Sequence, residues 1–69
     1  MKIQALIHPA EDGGYWAEAP ALRGCYSEGE TIDKVARDIK EAVEGWLEAA
    51  AEQTRSKAGA DSQLVEIEV

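Results

Sequence analysis

The chain has 69 residues, which is enough for one domain over residues 1–69 and no more. A domain of this size buries only about 60% of its unfolded surface, and with one Cys and one His it has neither a disulfide nor a His/Cys metal cluster to support a thin core, so a protein partner or self-association is the expected support. Fourteen acidic against seven basic residues give a formal charge of -7, which excludes direct nucleic-acid or anionic-membrane binding as the expected role and suits a basic partner.

"KIQALIH" alternates, with Ile3, Ala5 and Ile7 on one side and Lys2, Gln4, Leu6 and His8 on the other, which predicts a first strand with one buried face. The opening "MKIQALIHPAEDGG" lacks the apolar core and small-residue cleavage site of a secretion signal, and no run approaches the roughly 20 apolar residues of a membrane span. A cytoplasmic location is therefore expected, where a free thiol is acceptable. "PAEDGG" predicts a turn, and "YWAEA" a second strand with Tyr15, Ala17 and Ala19 opposite Trp16 and Glu18. After Pro20 and the connection "ALRG", "CYSEG" predicts a third strand, with Cys25 and Ser27 inward and Tyr26 and Glu28 outward.

From Ile32 the period becomes helical. Ile32, Val35, Ile39, Ala42, Val43, Trp46, Leu47 and Ala50 form one stripe, Thr31 stands at the N-cap, and the helix is expected to run to about Glu52–Arg55. "TRSKAGADS" reads as a linker from Thr54 to Ser62. "QLVEIEV" alternates again and predicts a fourth strand parallel to the first, paired within the chain or exchanged with a neighbour. The order is βββαβ, an α+β sheet with one helix covering one face.

The segment "PALRGCYSEGET", leading into "IDKVARDIKEAVEGWLE", resembles the HicB family of antitoxins. The family pattern P-x-L-P-G-C-x-S-x-G-x-T is matched at Pro20, Leu22, Gly24, Cys25, Ser27, Gly29 and Thr31; Arg23 replaces its second Pro. "GGYWAEAP" adds to the likeness, which covers essentially the whole chain. The resemblance implies a fold similar to a truncated ribonuclease H fold without its catalytic acids. It also implies neutralisation of a HicA-type toxin, a small basic ribonuclease with a double-stranded-RNA-binding fold and a catalytic His. Many family members carry a second, DNA-binding domain; none is expected here, and operator binding by this chain alone is not expected either.

Each candidate residue has an ordinary reading beside the functional one. Cys25 faces the expected core, with Arg23 the only local cation, so a packing role is favoured over a reactive thiol. On the outward face, Leu6, Trp16, Tyr26 and Leu64 form an apolar patch of the kind that marks interfaces, and Leu6, Trp16, Glu18, Tyr26 and Glu28 are the candidate partner-binding residues. Glu41, Glu44, Glu48 and Glu52 make an acidic helix ridge that includes unfavourable like-charge pairs and reads first as a solvated face. Asp12, Glu18 and Glu28 lack the pattern of a metal site, and His8 reads as a surface residue, so no catalytic residue, cofactor or metal is expected. The function that follows is non-enzymatic: an antitoxin-like protein that occludes a basic HicA-type toxin. The alternative is a solitary homo-oligomeric module with no toxin partner, using the same face for self-association.

Overall fold

A computed structural model describes residues 2–68. The three alternating segments form strands β1 (Leu6–Pro9), β2 (Tyr15–Glu18) and β3 (Tyr26–Gly29), and the periodic segment forms helix α1 (Ile32–Lys57). The strands make an antiparallel sheet in the order β1-β2-β3. Its register sets Leu6 opposite Glu18 and His8 opposite Trp16, then Trp16 opposite Glu28 and Glu18 opposite Tyr26. The helix covers one face of this sheet, as expected for an α+β domain with a single helix.

The β1–β2 turn closes through Ala10 N–H to the Gly14 carbonyl at 3.0 Å and Gly13 N–H to the Ala10 carbonyl at 3.3 Å. Gly14 has φ +76°, and a Cβ there would lie 2.7 Å from the Gly29 carbonyl oxygen, so both backbone conformation and backbone contact demand glycine. Gly14→Ala is expected to cost at least about 2 kcal/mol, read as a lower urea midpoint at unchanged m-value.

The motif from Pro20 to Thr31 is a structural corner. Ala19 N–H donates to the Cys25 carbonyl, Leu22 N–H to that of Ala19, and Cys25 N–H to that of Leu22, at 2.9–3.1 Å. Gly24 reverses the chain at φ +77°. Leu22 and Cys25 are thereby folded inward, and Trp46 Nε1 on the helix donates to the Arg23 carbonyl at 2.9 Å, tying the corner to α1. Ser27 Oγ donates to the Val35 carbonyl at 3.3 Å, which fixes β3 against the first helical turns.

At the helix start Thr31 Oγ1 accepts from Lys34 N–H at 3.1 Å, satisfying one of the free donors of the first turn, and Asp33 adds a favourable charge there. Thr31→Ala is expected to lower stability by about 1 kcal/mol while Thr31→Asp retains most of it, measured by thermal unfolding.

The core is small: Ala17, Ala19, Leu22, Cys25, Val35 and Ile39, flanked by Ile3, Tyr15, Ala42, Val43, Trp46 and Leu47. Cys25 is 4% exposed, so a thiol reagent is expected to label it only as fast as the domain opens.

Three expectations need correction. Strand β1 begins at Leu6 rather than Lys2, because β2 ends at Glu18 and the chain then turns at Pro20, leaving residues 2–5 nothing to pair with. The helix continues to Lys57, so Thr54 to Lys57 belong to it rather than to a linker; Thr54 Oγ1 and Ser56 Oγ bond back to the Ala50 and Glu52 carbonyls. Residues 63–68 form no strand; they follow a turn closed by Ser62 N–H to the Gly59 carbonyl and lie exposed. The remaining residue of the expected fourth strand, Val69, lies outside the described residues.

Candidate functional site

The sheet face away from the helix is built by alternation. Of the twelve strand residues, the six that project there are Leu6 and His8 from β1, Trp16 and Glu18 from β2, and Tyr26 and Glu28 from β3. They form two rows across the sheet, Leu6–Glu18–Tyr26 and His8–Trp16–Glu28. All five candidate binding residues therefore share one surface. Leu64, expected beside them, does not: it lies in the exposed segment after the helix.

Sequence reasoning set His8 aside as a surface residue, yet it is a member of this face. Its Nε2 lies 2.8 Å from Glu18 Oε2, and its ring centroid is 4.5 Å from that of Trp16. Trp16 in turn lies 6.3 Å from Tyr26 across the diagonal. The signal was present in the alternation of "LIH", which puts His8 on the same side as Leu6. The pairing with Glu18 required the cross-strand register.

The resulting surface is mixed. Tyr26 is 61% exposed and Leu6 53%, whereas Trp16 is half-buried between His8 and Tyr26. The rings pack tilted against one another, at 30° and 42°, in a row that keeps its shape at little entropic cost, and two carboxylates flank it. Glu18 is held by His8; Glu28, at the far edge, is exposed. Rigid aromatics beside carboxylates suit contact with an apolar surface rimmed by Lys or Arg. Among the described residues no group of three His, Cys, Asp or Glu side chains converges as a metal site requires.

The helix presents a different surface. Glu41, Glu44, Glu48 and Glu52 are all exposed, and Glu52 pairs with Arg55 at 2.9 Å. Lys34 and Asp38 form an exposed i,i+4 pair at 2.8 Å. Such surface pairs contribute little to stability. The ridge carries charge but no aromatic anchor.

A family model described as "HicB_like antitoxin of bacterial toxin-antitoxin system" matches residues 3–68. The chain belongs to the HicB-like antitoxin family. Its relatives extend the match. The chain is 46% identical over 48 residues to a UPF0150 protein of Synechocystis sp., covering 70% of each chain. It is 29% identical over 69 residues to a second UPF0150 protein of that organism, covering all of this chain and 94% of the other. A UPF0150 protein of Archaeoglobus fulgidus is 38% identical over 48 residues, again 70% of each chain. No solved structure matches the chain. HicB-like membership accounts for the Pro20–Thr31 corner and supports an antitoxin role in general. No helix among the described residues is long and apolar enough to cross a membrane.

Proposed function

We propose that this protein neutralises a small basic HicA-type mRNA-cleaving toxin by laying the open face of its sheet over the toxin's RNA-binding surface and catalytic His. The observation that carries the reading is the row His8–Trp16–Tyr26 flanked by Glu18 and Glu28 on a face the helix leaves uncovered. The aromatics would supply the buried anchors. The carboxylates, backed by a net charge of -7, would meet the Lys and Arg side chains with which such a toxin grips RNA. Inhibition on this account is occlusion, and the chain contributes no chemistry of its own.

The test is co-expression with the small basic product of the neighbouring gene. The reading expects growth arrest by that product alone, rescue by this chain, and co-purification of the pair at low salt with dissociation as salt rises. Unrelieved toxicity, or no complex at any salt, would contradict it. A chain that self-associates and ignores its neighbour would instead favour a solitary homo-oligomeric module in the cytoplasm.

A further inference from the structure

We propose that residues 63–68 of one copy of this chain add as a strand to the free edge of β1 in a second copy, and that the exchange is reciprocal. The two halves of such a contact are both visible. Strand β1 bonds to β2 on one side only, and residues 2–5 continue from it without pairing. An edge of this kind is a template for another strand, and natural sheets usually cover or blunt it. Beside it runs a groove whose wall is mainly apolar (Ile3, Ala5, Ile39, Val43 and Leu47), with Lys40 and Glu44 also lining it. Ile7, on the helix-facing side of the sheet, is still 36% exposed because α1 does not reach over the edge strand.

The second half is the segment after the helix. Val65 and Ile67 are 71% and 81% exposed, and Leu64 is 61% exposed. Of the seven large apolar side chains left exposed among the described residues, Leu6 and Ile7 lie in β1, and Leu64, Val65 and Ile67 lie in this segment. Joining the two segments covers Ile7, Val65 and Ile67 on the helix side of the sheet and leaves Leu64 on the open side with Leu6. The chemistry is complementary. With Val65 and Ile67 in the groove, alternation sends Glu66 and Glu68 to the open side, the side of Lys2 in the sequence alternation.

The chain's own β1 edge is a poor receiver. Leu47 is the last helical residue packed on the core, and α1 runs on to Lys57, an overhang of about 15 Å at about 1.5 Å per residue. Residues Gly59–Ser62 are consumed by a turn, closed by Ser62 N–H to the Gly59 carbonyl at 3.2 Å and Gly59 N–H to Ser62 Oγ at 2.9 Å. From that turn, residues 63–68 extend about 20 Å at about 3.3 Å each, so a return along the chain's own helix spends most of the segment on the overhang. A second copy placed beside that overhang receives the whole segment. Reciprocity follows from two-fold symmetry, which lets each copy give one strand and accept one.

The experiment is light scattering on the full chain at about 100 µM with no toxin present, which keeps the outcome independent of the antitoxin reading. The expected result is twice the chain mass for the native protein. The variant Val65→Lys with Ile67→Lys is expected to run at the chain mass, with a dimer dissociation constant raised at least ~100-fold and an unchanged helical circular dichroism signal. Both positions lie outside the core, so the variant removes no core contact within the chain. Trp16→Ala with Tyr26→Ala is expected to keep the dimer. A monomeric native chain, or a dimer that survives the tail variant, overturns the proposal; so does a dimer lost only in the Trp16/Tyr26 variant.

Discussion

Replacing Trp16 and Tyr26 together by Ala is expected to weaken toxin binding at least ~100-fold and to abolish rescue of growth, while leaving the domain folded. The aromatic row is the one place on the open face where large side chains hold each other in position, with centroids 4.5 Å apart for His8–Trp16 and 6.3 Å for Trp16–Tyr26. Anchors of this type lose about 2–4 kcal/mol of binding when truncated, so even a partial effect at each of two sites reaches the expected loss. The cost to stability is smaller. Neither ring belongs to the core, and a surface aromatic pair contributes about 0.5–1.5 kcal/mol beyond its burial. Charge reversal at Glu18 and Glu28 is expected to act differently, slowing association and flattening the salt dependence more than it speeds dissociation. Calorimetry for the first variant and stopped-flow kinetics for the second separate anchor from steering.

The Ile39→Ala variant is expected to be unfolded in a large fraction of molecules at 37 °C. Ile39 is 5% exposed and stands with Val35 where the helix meets β2 and the Leu22–Cys25 corner. Truncating a buried Ile removes about 2–5 kcal/mol, and a chain of this length has about 3–10 kcal/mol in all. The neighbouring core residues Ala17 and Ala19 are too small to collapse into the cavity. Circular dichroism melting checks this, and the loss should depend on protein concentration if a second copy stabilises the fold. An Ala at exposed Glu44 on the same helix is the control, expected to change stability by no more than about 0.5 kcal/mol.

What the sequence made legible follows the range of each signal. Alternation in "YWAE" and the period from Ile32 onward are local, and β2 and the start of α1 appear within a residue of where the pattern puts them, whereas the helix runs past its expected end. Thr31 as N-cap is equally local. The sharing of one face by Leu6, Trp16, Glu18, Tyr26 and Glu28 also follows from alternation, once three antiparallel strands are assumed. Failures arose where a partner distant in sequence decides. Residues 2–5 have a strand pattern, but Pro20 removes the neighbour that would have paired with them. The segment 63–68 has one too, but it follows a helix that runs ten residues past its last core contact, and it pairs with no strand. The His8–Glu18 and Trp46–Arg23 contacts join residues 10 and 23 positions apart and depend on register and helix rotation, which no local pattern states. Family likeness accounts for the corner from Pro20 to Thr31 but not for which face meets a partner.

The measurement that bears most directly on the antitoxin account is an NMR titration of the labelled chain with the basic product of the neighbouring gene. The account predicts that amide shifts concentrate at residues 6–8, 16–18 and 26–28, and that they fade when salt is raised. Shifts confined to the acidic helix ridge from Glu41 to Glu52, or none at all, would contradict it.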